Sequence, residues 1–333
     1  MSQEILSKLN TTHIEEISSS RNEPEWLKNY RKSSLSVYDS LPIETSPLYN
    51  KYTDAKKMDP EKVSLSTNTA ETVPAFLQKR LGELENEICI IQIGTNIHRI
   101  NLPDELKSKG LVISSISDAV QNNFELVKKA LEASNSSDDK FTALNNAAFN
   151  SGIFIHIPRN FILDKPIYFL TCLSEDGHST ISRNIIFADE SSKSTLVQEL
   201  YSANIQTQQA YLELMNTNVA ANAQLDVTTL QMMDQQAVTF STKRTDLGQD
   251  AKVNWYSGLF GSMLSRYKIE YFLNGSGASS NDSEVIFGNN EQSFDIQTNV
   301  NHESPSTEGR VVEKSILRNK SKSLFKGMIR IKE

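Results

Sequence analysis

The sequence is poor in the residues that mark secreted, metal-binding or membrane proteins. Only two cysteines occur among 333 residues, Cys89 and Cys172, and each lies inside an apolar run far from the other. This excludes a disulfide framework and a paired-cysteine metal motif, and we expect both thiols to be buried and inert. No window approaches the ~18 apolar residues that span a bilayer, and the N-terminal residues do not resemble a signal peptide. We therefore expect a cytoplasmic protein.

A large excess of charge of either sign is also lacking. The chain has 34 Lys and Arg residues against 41 Asp and Glu residues, which gives a formal net charge of −7. Such a balance creates no general attraction for nucleic acid or for an anionic membrane surface. We predict that the partners of this chain are proteins.

A short theme repeats between Thr195 and Ile329: a polar turn, then a strand-like run with small or apolar residues at alternate positions. The five segments that share it begin at Thr195, Ala223, Ala251, Ser283 and Ser321. The first three starts are about 28 residues apart and the later spacings are longer, which is the range of solenoid repeats. The pattern predicts a mainly β protein, a stack of β-rungs in which alternate side chains share one core.

Residues 1–87 are predicted to form an N-terminal region of helix and extended arm. A firm helix is predicted over Pro24–Ser40, because Trp26 and Tyr30 begin an apolar stripe at helical spacing and the proline suits a first helical position. One or two helical turns are predicted over Ser2–Leu9. Pro47–Pro74 has no sustained periodicity, which predicts an extended, partly ordered arm able to wrap a neighbour.

Residues 88–333 are predicted to form the β core, with a helical pair inserted near residues 115–150. Buried strands are predicted at Glu87–Gly94 and Leu111–Ile113 from their apolar runs. After Gly152 the chain reads as short β-rich runs separated by polar turns, as far as its last residue.

The inserted helical pair has its own signals. Ser115 and Asp118 have the spacing of a capping box, and one helix is predicted to continue from there as far as Leu131. A second helix is predicted over about Asp138–Asn150.

Histidines offer few candidate metal ligands. His302 is the best placed, in a turn beside Glu303, but a lone His-Glu pair is weak and a solvated or turn-stabilising role is the alternative. His156 alternates with isoleucines on a strand and is predicted to face the surface. Metal sites need several converging ligands, so we predict no metal site and no catalytic residue.

Acidic residues near a glycine-rich loop are a second candidate ion-binding site. Asp282, Glu284 and Glu291 surround the Gly-Ser-Gly-Ala-Ser-Ser-Asn segment, where an ion-binding nest is conceivable. A loop that joins two rungs is the alternative, and the interpretation preferred here. The segment is not a phosphate-binding loop, because no Gly-Lys-Ser/Thr sequence follows it.

Three stretches carry a resemblance to a known family. Residues 141–158, Phe-Thr-Ala-Leu-Asn-Asn-Ala-Ala-Phe-Asn-Ser-Gly-Ile-Phe-Ile-His-Ile-Pro, followed by Leu163-Asp-Lys-Pro-Ile167, resemble the entry to the core domain of the SufB/SufD iron–sulfur cluster assembly proteins. Ser182–Glu199 is similar to the family's next rungs. His302–Thr307 and Lys314–Ile329 resemble its late signature, a small-residue turn that leads into a Phe-x-Gly strand.

Two early segments favour the SufD branch of this family. Glu23-Pro-Glu-Trp-Leu27 and Ser46-Pro-Leu-Tyr49 are similar to the SufD-type N-terminal region, so the resemblance covers about residues 23–331. It implies a right-handed parallel β-helix with a helical N-terminal region, and a scaffold role. In this family a SufB-like and a SufD-like subunit pair through their β-helices, each carries a SufC-type ATPase, and a nascent cluster is thought to form at the interface.

The chain departs from the family pattern at its C-terminal end. Members continue into further rungs, a Cys- and His-bearing segment and a helical domain that holds the ATPase, whereas this sequence stops at Glu333. The resemblance therefore assigns neither cluster ligands nor an ATPase docking site to any residue here, and we expect no cofactor bound firmly by this chain alone. A gene fragment, a shortened sequence and completion of the stack by a separate polypeptide are three hypotheses; a cap built from an N-terminal arm is a fourth.

The partner interface is predicted in the late rungs, between Phe294 and Ile329. Pairing between subunits needs an accessible β edge, and the end of a β-helix supplies one. The residues proposed to contact a SufB-like partner are Phe294, Ile296, His302, Leu317, Leu324, Phe325 and Ile329.

The rival interpretations are a β-helix enzyme and a purely structural solenoid. Asp226, Lys243, Arg244, Asp246 and Lys252 are the set that a polysaccharide-cleaving enzyme would place in a groove between rungs. Fold alone does not establish such an activity, and the chain lacks paired carboxylates at a convincing spacing and aromatic residues to stack sugars. We therefore predict a non-enzymatic SufD-like scaffold.

Overall fold

The computed structural model describes residues 9–42, 63–65, 73–134, 139–174, 177–203 and 206–332. The predicted turns at Ser2–Leu9, except Leu9 itself, and most of the predicted arm at Pro47–Pro74 lie outside these residues. The helices are α1 Thr11–Ser20, α2 Glu25–Ser40, α3 Gln78–Glu83 after a 3-10 turn at Ala75–Leu77, α4 Asp104–Ser108, α5 Ile116–Asn122, α6 Phe124–Ala133 and α7 Lys140–Ala148. No helix of the described chain is long and apolar enough to cross a bilayer.

Strands account for about half of the molecule and form two long sheets. They are β1 Ser64–Leu65, β2 Ile88–Ile93, β3 Asn96–Asn101, β4 Val112–Ser115, β5 Ile153–Ile157, β6 Ile167–Leu173, β7 His178–Ala188, β8 Lys193–Ser202, β9 Gln209–Val219, β10 Gln224–Met232, β11 Ala237–Leu247, β12 Lys252–Leu259, β13 Leu264–Leu273, β14 Ser279–Gly288, β15 Ser293–His302, β16 Glu308–Leu317 and β17 Lys322–Ile331. Sheet A has the order β17-β15-β13-β11-β9-β7-β5-β4 with β1 beside β7, and sheet B has the order β16-β14-β12-β10-β8-β6-β2-β3.

From β5 onward the chain alternates between the two sheets, and every strand pairs in parallel with strands of the same sheet one turn away. This is a parallel β-solenoid of about 6 turns with a helical N-terminal region, so the predicted fold class is confirmed. Alternate residues of each strand point between the sheets, as the period-2 pattern predicted. The antiparallel pairs β2–β3 and β4–β5 lie at the first turn.

One corner of the solenoid repeats the same backbone conformation. A residue with positive φ follows each of the sheet-A strands β5, β7, β9, β11, β13 and β15, at Asn160, Ser191, Asn222, Asp250, Gly277 and Ser306. Glycine, asparagine and aspartate tolerate this left-handed conformation best, and serine is a common turn residue. The polar turns of the sequence thus fix where the chain changes sheets.

The five segments that the sequence suggests as equivalent repeats are in the predicted register for one pair of strands only. Gln224 of β10 lies opposite Lys252 of β12, 28 residues later, as predicted. Thr195 lies opposite Asp226, not Ala223, and the segment at Ser321 belongs to β17 in the other sheet. Turns of unequal length shift the register, and composition alone did not reveal which sheet each strand joins.

The helices cover the outer face of sheet A over the early turns. The aliphatic and aromatic side chains of α1, α2, α5, α6 and α7 share one core with the outward residues of β7, β9 and β11. Arg31 of α2 is fully buried, forms a two-point ion pair with Glu23 at 2.7 and 2.8 Å, and stacks its guanidinium 3.7 Å above the Phe149 ring. Such planar, bidentate contacts suit arginine and hold α2 in place.

Most predicted elements are confirmed, with one correction. The predicted helix at Pro24–Ser40 and strand at Glu87–Gly94 match α2 and β2 within one or two residues. The helix predicted to continue from Ser115 is in fact two, because the chain leaves helical geometry at Asn123 between α5 and α6. Within the predicted arm, β1 pairs with His178 and Ser179 of the chain's own sheet.

Candidate functional site

A row of polar side chains runs through the interior of the solenoid. In sheet B, consecutive turns place Gln198, Thr229, Ser257, Glu284 and Glu313 in register, one above the other. The first four are buried. Adjacent parallel strands lie about 4.8 Å apart, so the row forms a continuous polar column where an apolar core is the norm.

Glu213 of β9 anchors this cluster from the opposite sheet. Its carboxylate accepts hydrogen bonds from Asn184 Nδ2 at 2.7 Å, from Ser241 Oγ at 2.6 Å, from Tyr211 OH at 3.3 Å and from Gln198 Nε2. Four donors replace the hydration that a buried carboxylate loses. Glu213 is therefore a buried carboxylate whose hydrogen bonds are well satisfied.

Lys243 of β11 is the buried cation of the cluster. Its ammonium group donates to Thr229 Oγ1 at 2.6 Å and to Gln198 Oε1 at 3.3 Å. It also lies 4.7 Å from the centre of the Trp255 ring and 5.5 Å from that of Tyr267, which favours the charged form through cation–π attraction. Burial nevertheless lowers the pKa of Lys243 to about 8, against the opposing effect of nearby carboxylates.

Two further carboxylates lie beside this lysine without matching donors. Among the described residues, both carboxylate oxygens of Glu284 and one of Asp282 have no hydrogen-bond partner. The other Asp282 oxygen accepts only a long bond of 3.5 Å from Thr298 Oγ1. Burial raises the pKa of both acids well above the ordinary range, with the mutual repulsion of Asp282 and Glu284 adding to the shift at Glu284 and Lys243 acting in the opposite direction.

The cluster is thus a polar interior with more acid than base. Tyr267, Tyr271, Ser257 and Thr245 add hydroxyl groups that also lack partners within the described chain. Buried polar groups in folded proteins are almost always paired with protein or ordered water. The unpartnered acids make this interior the least satisfied part of the described core.

A pH-dependent stability follows from these acids. Native Glu284 and Asp282 bind protons above pH 4.5 that the unfolded chain has released, so the free energy of unfolding should fall as pH rises from 5 to 8. Glu284→Gln should flatten this slope and stabilise the protein at pH 8 by about 1–3 kcal/mol, because a neutral amide replaces an acid that resists ionisation. Urea unfolding of wild type and Glu284→Gln at pH 5, 6.5 and 8 measures the pH slope of the unfolding free energy and the stabilisation at pH 8.

The matched control for this measurement is Glu291→Gln, which neutralises an exposed acid in the turn after the same strand. It should leave the pH slope of the unfolding free energy unchanged within error, because exposed charges contribute little. Equal slopes for wild type and Glu284→Gln would contradict the assignment of the buried acid.

The predicted interface residues do not all lie on one accessible surface. Phe294 and Ile296 are buried between the sheets, because their parity on β15 turns them inward, so they cannot contact a partner while the solenoid is intact. The exposed members are Leu317, Phe325 and Ile329, of which the last two are inward-facing positions of β17.

Leu324 and His302 complete the predicted interface set. Leu324 is half-buried on the outer face of β17. His302 is half-buried, and its Nδ1 lies 2.7 Å from Thr307 Oγ1 in the same turn. The structure thus supports the turn-stabilising alternative for His302.

Other predicted residues are also placed. Cys89 and Cys172 are buried, and burial raises the pKa of both thiols, that of Cys172 to about 12. His156 is partly exposed, with Nε2 2.8 Å from Asp189 Oδ2. Within the described ranges, no group of three His, Cys, Asp or Glu side chains is arranged to hold a metal ion.

The residues suggested for a glycan-cleaving groove do not converge. Lys243 points into the solenoid, whereas Asp226, Arg244, Asp246 and Lys252 lie on outer faces. Asp226 accepts a hydrogen bond from Asn254 Nδ2 at 2.7 Å, and Arg244 pairs with Asp246 at 2.9 Å. The set therefore forms two separate surface contacts and one buried cation.

Asp282 and Glu284 are interior acids of a strand, not residues around a loop as predicted. Both are in the middle of β14, and they share parity with the buried Ile286. That parity was the available signal, since residues at i, i+2 and i+4 of a strand share a face. The register that brings them near Lys243 was not readable from the sequence.

Comparison with known proteins gives consistent matches over nearly the whole chain. Residues 171–333 match the family described as SUF system FeS cluster assembly, SufBD core domain, and residues 6–169 match the SufBD protein N-terminal region. Similar proteins include the iron-sulfur cluster assembly SufBD family proteins of Staphylococcus aureus strains USA300 and MRSA252 and of Staphylococcus saprophyticus. Each is 26% identical over 332 residues, which covers 95% of this chain and 70% of the relative.

Proposed function

Because the chain belongs to the SufBD family of iron–sulfur cluster assembly proteins, we propose that it is a SufD-type, non-catalytic scaffold subunit that pairs with a SufB-like subunit. The early Glu23–Leu27 and Ser46–Tyr49 segments support the SufD assignment by resemblance. A SufC-type ATPase joins the assembly indirectly, through the SufB-like partner. The nascent cluster is cargo of the assembly at the subunit interface and is not held firmly by this chain alone.

The observation that carries this proposal is the match of residues 171–333 to the SufBD core domain, on a parallel β-solenoid. Within the described residues, β16 and β17 are the last strands of sheets B and A, where they pair with β14 and β15. Their apolar side chains Ile316, Phe325, Ile329 and Ile331 are between 42% and 75% exposed. These exposed apolar groups are proposed to contact the SufB-like subunit, because exposed apolar patches mark interaction sites.

The direct test is co-purification of this chain, from its own source, with a SufB-like subunit and a SufC-type ATPase, with the mass of the complex measured by native mass spectrometry. We expect a complex that contains the SufB-like subunit. Recovery of the chain alone would overturn the scaffold assignment and reopen the enzyme interpretation.

Phe325→Asp should weaken the assembly. Phe325 of β17 lies in register with the buried Ile296 of β15 and has the same inward orientation. A partner that covers this turn would therefore have to bury the new carboxylate. Affinity for the SufB-like subunit should fall at least about tenfold, which corresponds to 1.4 kcal/mol, in a titration by calorimetry. The melting temperature should also fall.

Tyr256→Asp is the control for this change. Tyr256 is an aromatic residue with an exposed fraction of 43%, against 42% for Phe325, but it lies on the outer face of β12, two turns earlier. Its replacement should leave the affinity unchanged. Equal binding and equal melting of Phe325→Asp and wild type would count against the interface at the outermost turn.

A further inference from the structure

A crevice lies between helix α6 and the outer face of sheet A, over the strands β7, β9 and β11. Its volume is about 290 Å³, with the open space at its mouth included. The helix contributes Lys129, Ala130 and Ala133, and the strands contribute Ile186, Phe187, Asn216, Thr217, Asn218 and Asp246. These nine residues define the α6 crevice.

The crevice exists because two alanines of α6 face polar residues of the sheet. On β9 the outward residue changes from Leu212, which the helices cover, to Asn216 and Asn218. Ala130 and Ala133 are three residues apart on α6 and therefore share a face of the helix. Their methyl groups leave open the space that longer side chains would fill, so the sheet side of the crevice is polar and the helix side is small.

Asn216 contributes a polar group that lacks a partner. Its side chain lines the crevice, the residue is 6% exposed, and its Oδ1 has no hydrogen-bond partner among the described residues. Buried amide oxygens in folded proteins almost always accept a hydrogen bond. A donor bound in the crevice would satisfy this oxygen.

The sheet side of the crevice is rich in acceptors. Asn218 and Asp246 lie in register on β9 and β11, two residues along from Asn216. The Asp246 carboxylate accepts from Arg244 Nε at 2.9 Å, from Arg244 Nη2 at 3.1 Å and from Asn274 Nδ2 at 3.0 Å, which leaves room for a further donor. The crevice also borders the last turn of α6, where the helix dipole is negative. Together these groups favour a donor that carries a positive charge, such as a primary ammonium group.

Lys129 adds a cation on the helix side. It is exposed, and within the described residues it forms no ion pair, whereas the preceding Lys128 lies 3.9 Å from Glu132. An ammonium group without a carboxylate beside it attracts an anionic group. The crevice therefore combines acceptors on its sheet side with a cation on its helix side.

We propose that the α6 crevice binds a small α-amino acid. The ammonium group of the ligand donates to Asn216 Oδ1 and to the Asp246 carboxylate, and the carboxylate of the ligand faces Lys129. A short apolar side chain fits against Phe187 and the alanine methyl groups. An amine alone would meet repulsion from Lys129, and a carboxylate alone would meet the acceptors of the sheet side, so the zwitterion suits both sides at once.

This inference goes beyond the proposed function and does not rest on it, because the crevice is built by this chain alone. Failure of the chain to co-purify with a SufB-like subunit would leave binding of the amino acid unchanged. Failure of the amino acid to bind would likewise leave the pairing of subunits untouched.

Isothermal titration calorimetry of this chain with L-alanine tests the class of ligand. Ethylammonium lacks the carboxylate of alanine and propionate lacks its ammonium group, so each should bind at least about tenfold more weakly than L-alanine. L-alanine should also raise the melting temperature, because a ligand that binds only the folded state stabilises it. Absence of both effects at up to about 50 mM L-alanine would overturn the inference, as would equal binding of either fragment.

Two substitutions test the position of the site. Asn216→Leu removes the unpartnered acceptor at similar volume, and Ala133→Leu fills the crevice while every polar group stays. Each should weaken L-alanine binding at least about tenfold. Asn216→Asp retains an acceptor and adds a negative charge, so it should bind at least as tightly as wild type does, which a merely structural role of Asn216 would not produce. Undiminished binding by Asn216→Leu and Ala133→Leu would place L-alanine elsewhere and overturn the site.

Lys129→Gln tests the contact with the carboxylate and changes only an exposed side chain. It should weaken the binding of L-alanine at least about threefold and leave that of ethylammonium undiminished. The matched control is Lys128→Gln, which neutralises the neighbouring lysine and should bind L-alanine as wild type does. Equal affinity of Lys129→Gln and wild type for L-alanine would overturn the assignment of an amino acid to the crevice.

Discussion

Replacing Lys243 by methionine is expected to destabilise the protein by about 1–3 kcal/mol at pH 8, because two buried hydrogen-bond acceptors lose their donor. The ammonium group is fully buried, bonds to Thr229 and Gln198, and offsets the charge of the nearby carboxylates. Methionine retains most of the volume but leaves Glu213 without a nearby cation. Urea unfolding followed by circular dichroism measures the loss.

The loss should depend on pH, which distinguishes electrostatics from packing. Lys243 lowers the pKa of both Asp282 and Glu284, so without it these acids hold their protons more tightly. The destabilisation should therefore be smaller at pH 6 than at pH 8, and Glu284→Gln in the Lys243→Met background should recover part of it. A loss that is the same at both pH values would contradict this account.

Lys268→Met is the control for the lysine experiment. Lys268 lies on the next strand of the same sheet, but on the outer face, where its ammonium is 3.3 Å from Glu270. Surface pairs on an outer face contribute about 0–1 kcal/mol, so the change should be small and independent of pH between 6 and 8.

Gly152→Ala is expected to cost more than about 4 kcal/mol, or to prevent folding, because two independent effects act at this position. Gly152 has φ +138°, a conformation open almost only to glycine, and an added Cβ would lie 1.9 Å from the backbone oxygen of Arg183. The close approach occurs where the chain leaves α7 and enters β5, beside β7. Neither backbone can move without breaking the first parallel turns.

The control for this substitution is Gly82→Ala in α3. A Cβ at Gly82 meets no atom within 4 Å, and alanine favours helix over glycine by about 0.5–1 kcal/mol. Gly82→Ala should therefore be neutral or stabilising in thermal unfolding. A Gly152→Ala variant that melts within 2 °C of wild type would show that the junction is not as close as the structure places it.

The elements were predictable because each depends on a local pattern. α2 begins directly after Pro24 and buries Leu27 and Leu35, and β2 is an uninterrupted apolar run. The break at Asn123 was not predicted, because the apolar stripe continues across it and only the backbone departs from helical geometry. Local periodicity reports which side chains share a face but does not detect a short interruption.

The candidate site was predictable only in its parts. The sequence places Lys243 among the charged residues of a possible surface groove. It places Asp282 and Glu284 around a loop. Neither prediction puts these side chains in the interior. Lys243 shares its strand face with the buried Leu247, and Asp282 and Glu284 share theirs with the buried Ile286, so the alternation of each strand points these three side chains inward. Their mutual approach required the register of two sheets, which depends on the length of every preceding turn.

The sequence alone determined that this protein is mainly β, that it repeats, that its two cysteines are buried and that it resembles the SufB/SufD family, because each of these depends on composition, short spacing or motif. Only the tertiary structure decided that Lys243, Glu213 and Glu284 share one buried interior, and that Phe294 and Ile296 are inaccessible. These facts join residues tens of positions apart. The stacking of parallel turns brings such residues together, and no local pattern encodes it.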